Sequence, residues 1–144
     1  RDLAMIGLDR VAGWFGSEAF TAWSAAGGTF ASIEQVDAAT LAEWTRDRAA
    51  TIVDVRAADE WAQGHIPGAR HAPLGRLPES LPHLAGAERV VMQCQGGSRS
   101  AIAASLARRH GVTAVANLRG GFAAWQGAGH PVETTPSGAT AGAP

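Results

Sequence analysis

The chain is organised around Cys94-Gln95-Gly96-Gly97-Ser98-Arg99-Ser100. An apolar run typical of a strand precedes it at 90–92, and a helical pattern follows it as far as His110. A strand, a glycine-rich loop and a helix N-terminus together form a cradle for anions, because the N–H groups point inward and the helix dipole adds positive potential. Cys94, the only cysteine of the chain, begins this loop. We therefore predict a thiolate nucleophile, since donors that face a thiol lower its pKa.

The composition limits the classes of protein to which the chain can belong. Of its 144 residues, 46% are hydrophobic and 17% are charged, which is typical of a globular domain. The formal net charge of −1 does not favour a nucleic-acid partner. One cysteine excludes an internal disulfide, and the five histidines show no ligand spacing, so neither a metal nor another cofactor is expected. No apolar run approaches the roughly 18 residues of a membrane helix, so we expect no membrane partner and a cytoplasmic location.

Strand and helix patterns alternate along the chain. Strands are predicted at 32–36, 51–55, 89–93 and 113–118, and helices at 38–48, 57–63, 100–110 and 122–126. This alternation predicts an α/β fold with an open, mainly parallel sheet and helices on both faces. Ligand sites of such sheets lie at the carboxyl ends of strands, where Cys94 falls. We expect Asp37 to cap the first helix, and Ile102 and Leu106 to share one face of the third.

The beginning of the chain shares a pattern with its later part. Leu3–Gly27 and Leu106–Gly129 each contain Leu-Ala, then Gly, then Val, and then Ala-Trp four residues before a final Gly. We interpret this as a partial internal repeat, with chance similarity in an Ala/Gly-rich chain as the alternative. The chain then divides into a remnant of, or linker from, a preceding related domain at 1–31, a main domain at 32–134, and a disordered tail at 135–144.

Several motifs occur in an order and spacing that resemble a rhodanese-type sulfurtransferase domain. They are Asp54-Val55-Arg56, Glu60-Trp61, Gly64 to Ala69, Cys94 to Ser100, and Gly120-Gly121-Phe122 with Trp125. The resemblance implies a rhodanese-like sheet and a sulfur transfer in which Cys94 carries a persulfide. Thiosulfate or glutathione persulfide would supply the sulfur, and cyanide or a thiol would accept it. An external acceptor is needed because the chain has no second cysteine.

The length of the loop separates the activities known for this family. Four residues lie between Cys94 and Arg99. In the family this loop length accompanies sulfur transfer, whereas related phosphatases and arsenate reductases have one residue more. The resemblance further implies that the substrate is bound by Gln95, Gly96, Gly97, Ser98, Arg99 and Ser100. Three classes stay open: a sulfurtransferase, which the loop favours; a rhodanese-like phosphatase or arsenate reductase; and a non-catalytic interaction module.

Gln95 departs from the pattern of many thiosulfate-using members, which carry a basic residue directly after the cysteine. Its neutral amide removes an attraction for a dianion that is worth about 1–3 kcal/mol. Relative to thiosulfate, this difference favours a persulfide as donor or acceptor, such as glutathione persulfide. The sequence before the main domain, the loop at 94–97 and the run at 120–125 are also similar to rhodanese modules fused behind a metallo-β-lactamase-fold persulfide dioxygenase. That resemblance implies such a domain upstream.

The sequence allows two interpretations for several other polar residues. Asp54, Arg56 and Glu60 form either an acid–base set or an ion-pair network that holds the loop after the second strand. The network is favoured, because sulfur transfer needs no general acid beyond the proton of the acceptor. Ser98 and Ser100 either cap the helix or donate their hydroxyl groups to sulfur.

Overall fold

The computed structural model describes residues 13–134 of the chain. They divide into two compact units, 13–32 and 33–134. The tail that we predict to be disordered, 135–144, lies outside the described residues, as does the beginning of the predicted remnant. None of the described helices combines the length and the apolar character needed to cross a membrane. In the first unit, a helix α1 extends over Glu18–Ala25.

The second unit is built on a parallel sheet. Its strands are β1 (Glu34–Val36), β2 (Thr51–Asp54), β3 (Arg70–His71), β4 (Val90–Gln93) and β5 (Val115–Leu118). They lie in the order β1-β5-β4-β2-β3, and every neighbouring pair is parallel. β4 is the central strand, and all its residues are buried. Cys94 follows β4 directly, so it lies at the carboxyl edge of the sheet, as predicted.

Helices cover both faces of this sheet. They are α2 (Ala38–Arg46), α3 (Ala58–Gln63), α4 (Leu77–Ser80), α5 (Ser98–Arg109) and α6 (Gly121–Gly127). On one face, α5 packs against β4 and β5, and the buried cluster includes Met92 and Ala103. On the other, α2 contacts α6, and the cluster includes Val91 and Trp125. Successive strand residues point to opposite faces, so β2, β4 and β5 each contribute buried residues to both cores. The predicted α/β class is confirmed.

The start of α2 follows the predicted capping. Asp37 precedes the helix, and its carboxylate accepts a hydrogen bond from the Thr40 N–H at 2.9 Å. The bonds from Thr40 lower the pKa of Asp37, because they stabilise the charged carboxylate. The predicted elements are all present, and their bounds differ from the predicted ones by no more than two residues.

The buried face of α5 is formed by small residues and not by Ile102 and Leu106. Ile102 is 61% exposed, and Leu106 packs only partly against the core. The buried residues of α5 are instead Ser100, Ala103, Ala104 and Ala107. Ser100 contacts the Cys94 sulfur and lies on the face of the helix that is turned to the sheet. Residues three, four and seven positions after Ser100 therefore face the sheet, where small side chains allow close packing.

Candidate active site

The loop after β4 curls around the sulfur of Cys94, whose side chain is buried. The Gly97 N–H lies 3.2 Å from Sγ and donates to it, and the Ser100 hydroxyl does so at 3.3 Å. Gly97 has a φ of 100°, and a Cβ there would lie 3.3 Å from the Gly120 nitrogen, so this position requires glycine. Gly96 is exposed, and a Cβ there would meet open space. Of the two glycines, only Gly97 is therefore needed for the curl.

Hydrogen bonds determine the direction in which the pKa of Cys94 moves. Burial by itself raises this pKa, because the thiolate loses hydration. The hydroxyl and N–H of Ser100 and the N–H groups of Gly96 and Gly97 outweigh burial, so the pKa of Cys94 lies below its ordinary value. The loop thus stabilises the thiolate, which is the nucleophilic form of cysteine.

Arg99 is held in an ion pair with Glu60 of α3. Nη1 donates to Oε2 and Nη2 donates to Oε1, each at 2.7 Å. The bond to Arg99 lowers the pKa of Glu60 from 4.5 to about 2, and the same bond raises the pKa of Arg99. Glu60 is also fixed by the Ala57 N–H, which donates to Oε2 at 3.1 Å. The arginine of the loop is therefore already paired with a carboxylate.

Arg56 is buried and connects the end of β2 to the loop. Its guanidinium donates to the Asp54 carboxylate, with a shortest contact of 2.7 Å, and to the Gly64 carbonyl at 2.6 Å. It also donates to Gln95 Oε1 at 3.3 Å and lies 4.2 Å over the Phe122 ring. Because a guanidinium only donates, the oxygen of the Gln95 amide must face Arg56, which orients that amide at the edge of the loop.

Asp54, Arg56 and Glu60, whose roles the sequence did not determine, thus lie in two ion pairs. Asp54 pairs with Arg56, and Glu60 pairs with Arg99. This arrangement corresponds to the ion-pair network and not to a single acid–base set. Both pairs hold side chains that contact the loop.

The first turn of α6 holds the loop from the other side. The Phe122 N–H donates to the Cys94 carbonyl at 2.8 Å, and the Ala123 N–H donates to the Gln95 carbonyl at 3.0 Å. Gly121 has a φ of 58°, and a Cβ there would overlap the Cys94 carbonyl oxygen. These backbone contacts were not predicted from the sequence. The pair Gly120-Gly121 at the start of a helix could have indicated that two chain segments approach closely there.

The whole site lies within the part of the chain that a known family matches. A model of the Rhodanese-like domain matches residues 37–128. The chain belongs to the rhodanese-like family. This rhodanese-like domain therefore includes both ion pairs, the loop and α6.

Relatives with sequence similarity include proteins named as sulfurtransferases. The chain is 33% identical over 101 residues to a "Sulfurtransferase" of Allochromatium vinosum, covering 69% of this chain and 94% of that protein. It is 40% identical over 80 residues to the uncharacterized protein YqhL of Bacillus subtilis, covering 56% of this chain and 64% of that protein. The rhodanese-like chain thus spans slightly less than two thirds of the latter's length.

Solved structures also resemble this rhodanese-like fold. A thiosulfate sulfurtransferase from Pseudomonas aeruginosa superposes with a TM-score of 0.67 at 29% identity, covering 76% of this chain and 22% of that one. The agreement supports the fold assignment.

A pocket of about 330 Å³ opens beside the loop of the rhodanese-like domain. It is lined by Arg56, Glu60, Gln63, Gln95, Phe122 and Gln126. Among these lining residues Arg56 is the one cation and Glu60 is the one anion, and each belongs to an ion pair described above. The other polar side chains of the lining are amides. Gln63 and Gln126 were not predicted, since nothing in their sequence context distinguishes them. Within residues 13–134, no group of three or more His, Cys, Asp or Glu residues could hold a metal ion.

The predicted site residues have different positions around the sulfur. Gly97 and Ser100 donate to it directly, whereas Gln95 and Gly96 lie on the exposed rim of the loop. Ser98 is exposed and begins α5, while Gly97 occupies the N-cap position, so Ser98 does not cap the helix.

Proposed function

We propose that this chain is a sulfurtransferase that carries sulfane sulfur as a persulfide on Cys94. The observation that carries the proposal is the environment of Sγ, which accepts hydrogen bonds from the Gly97 N–H and the Ser100 hydroxyl. These donors stabilise negative charge on the thiolate, and the same loop can stabilise the anionic outer sulfur of a persulfide. Membership in a family with sulfurtransferase-named relatives supports the proposal.

The transfer has two displacement steps on sulfur. The Cys94 thiolate attacks the outer sulfur of the donor, a new S–S bond forms, and the donor's own S–S bond breaks. Sulfite leaves thiosulfate with the electron pair, or glutathione thiolate leaves glutathione persulfide. Cyanide or an external thiolate then attacks the outer sulfur on Cys94. Thiocyanate or a new persulfide is released, and the Cys94 thiolate is restored.

The charges around the pocket favour glutathione persulfide as the donor. Arg56 is neutralised by Asp54, and Arg99 is neutralised by Glu60. A dianion such as thiosulfate would find no unpaired cation among the residues that line the pocket, where Gln95 replaces the basic residue of many thiosulfate-using members. The amides of Gln63, Gln95 and Gln126 can instead bind the peptide and carboxylate groups of glutathione.

Two other functions are less well supported. A phosphatase or arsenate reductase binds a tetrahedral oxyanion, for which a loop with four residues between Cys94 and Arg99 is short. A non-catalytic interaction module does not require a thiol with a lowered pKa, whereas the pKa of Cys94 is lowered. We also propose, from the sequence resemblance alone, that the upstream partner is a persulfide dioxygenase domain, which would use glutathione persulfide.

The intact mass of the full chain tests the proposal. We expect the parent to gain one sulfur atom after incubation with thiosulfate or glutathione persulfide, and to lose it to cyanide with release of thiocyanate. Cys94→Ser is the matched control and should gain none. Faster loading from glutathione persulfide would support the preferred donor. No added sulfur from either donor would contradict the proposal and favour an interaction module.

A further inference from the structure

We infer that α1 and the residues after it are the last helix and following segment of a second rhodanese-type unit, and that the apolar side of α1 seats on the sheet of that unit. This inference does not depend on the activity proposed above. It rests on the sequence, the geometry and the burial of two segments, 20–29 and 122–131.

The two segments share a sequence pattern without gaps. Both 20–27 and 122–129 have the form Phe-x-Ala-Trp-x-x-Ala-Gly. Trp23 therefore corresponds to Trp125, and Phe20 corresponds to Phe122. In the rhodanese-like domain, this pattern forms α6.

The two helices end in the same way. Gly27 and Gly129 lie four residues after the tryptophan and have φ values of 81° and 73°. The Gly28 N–H donates to the Trp23 carbonyl at 2.9 Å, and the His130 N–H donates to the Trp125 carbonyl at 3.3 Å. Such an ending is common in helices, so it does not by itself relate the segments.

The indole groups provide a more specific correspondence. Trp23 Nε1 donates to the carbonyl of Thr29 at 3.2 Å, and Trp125 Nε1 donates to the carbonyl of Pro131 at 2.7 Å. In each case the acceptor lies six residues after the tryptophan. Helix capping does not require this bond, which turns the indole back over the segment that leaves the helix. The two segments therefore share a tertiary feature as well as a sequence.

Burial differs between the two segments, and this difference indicates what is missing around α1. Phe122 and Trp125 are buried against the sheet and α2. Phe20 and Trp23 are each 54% exposed, and no residue of α1 is buried. An exposed aromatic pair at equivalent positions indicates a cover of the same kind, namely a rhodanese-type sheet face.

A second copy of this chain does not supply that cover. In each copy the corresponding place on the sheet is already filled by Phe122 and Trp125 of its own α6. The repeat also extends from α1 toward the N-terminus, since Leu3–Val11 follows the pattern that begins at Leu106. The occupant is therefore a separate rhodanese-type unit formed by sequence on the N-terminal side of α1.

A graft within the full chain tests whether the segment fits such a sheet. Residues 122–131 are replaced by the sequence of 20–29, and Gly120 and Gly121 are kept. The graft introduces Ala123→Thr, Gln126→Ser, Gly127→Ala, His130→Gly and Pro131→Thr. We expect cooperative thermal unfolding with a midpoint within about 8 °C of the parent's. Loss of cooperative unfolding in this graft would overturn the inference.

A graft shifted by one residue is the matched control. It places the sequence of 21–30 at 122–131 and removes the tryptophan from the buried position. We expect it to lose cooperative unfolding. If it unfolds at the same temperature as the first graft, the sheet accepts any Ala/Gly-rich helix, and the inference fails.

Sedimentation of the parent and of Trp23→Asp tests whether a second copy of this chain covers the apolar side of α1. We expect the same molecular mass for both proteins. A dimer that Trp23→Asp dissociates would assign the face of α1 to a second copy and would overturn the inference.

Discussion

The guanidinium of Arg99 and the carboxylate of Glu60 form two parallel hydrogen bonds of 2.7 Å beside the Cys94 loop. The arginine most expected to bind an anionic donor is therefore neutralised by a residue of α3. Under the proposed function, we expect this pairing to make Glu60 a determinant of which sulfur donor the site accepts. It also makes the pair a measurable source of stability.

Glu60→Gln is expected to lower the KM for thiosulfate about tenfold, since one charge-assisted contact released to a dianion is worth about 1–3 kcal/mol. The substitution keeps the shape of the side chain and removes its charge. Steady-state kinetics with thiosulfate and cyanide would measure it. Glu79→Gln is the control, because it removes a similar but exposed partner from Arg76. An unchanged or higher KM in Glu60→Gln would show that Glu60 instead positions Arg99 for the donor.

The same ion pair predicts a pH dependence of stability. The folded-state pKa of Glu60 is lowered from 4.5 to about 2, so its contribution is fully present above pH 4.5 and is lost as the pH falls toward 2. Allowing for its partial exposure, we expect the parent to exceed Glu60→Gln by about 1–2 kcal/mol in unfolding free energy at neutral pH. Urea unfolding at several pH values would measure this difference. A difference that stays constant down to pH 3 would contradict the assignment.

Ser100→Ala is expected to raise the pKa of the Cys94 thiol by about one unit, since a hydrogen bond to a charged group is worth about 1.5–3 kcal/mol. The Ser100 hydroxyl lies 3.3 Å from Sγ and 3.1 Å from the Gly97 carbonyl oxygen. Its one proton can therefore be donated to either acceptor, and the negative charge of the thiolate favours Sγ. The pH dependence of the alkylation rate would report this pKa. Ser105→Ala is the control, because that hydroxyl donates to the Ala101 carbonyl on the exposed side of α5. Equal pKa values in the two variants would argue against the role of Ser100.

Gly121→Ala is expected to displace the loop and to reduce the unfolding free energy by about 2–3 kcal/mol. The new Cβ would meet the Cys94 carbonyl oxygen, and the φ of 58° disfavours a side chain. Chemical unfolding and the rate of sulfur loading would both be measured. Gly127→Ala lies in the same helix, where its Cβ would meet open space, and should preserve both properties. A Gly121→Ala protein as stable and active as the parent would exclude a close fit between α6 and the loop.

The local sequence was sufficient for features that depend on neighbouring residues. Asp37 caps α2 as predicted, because an N-cap bond joins residues three positions apart. The sequence did not show which face of α5 is buried, because a hydrophobic pattern in an Ala-rich helix does not define its rotation. In the structure the buried face carries Ser100 and three alanines, and Ile102 is exposed.

Local sequence patterns were enough to predict the α/β class and the position of Cys94 at the end of a strand. Alternating strand and helix patterns and the glycines of the loop are local, and parallel strands align their carboxyl ends whatever the details of packing. The charge of the site, in contrast, depends on contacts between distant parts of the chain. Arg99 meets Glu60 across 39 positions, and Arg56 meets Gln95 across the same separation. No spacing rule predicts such pairs, because their contact depends on how α3, the loop and α6 pack around one edge of the sheet.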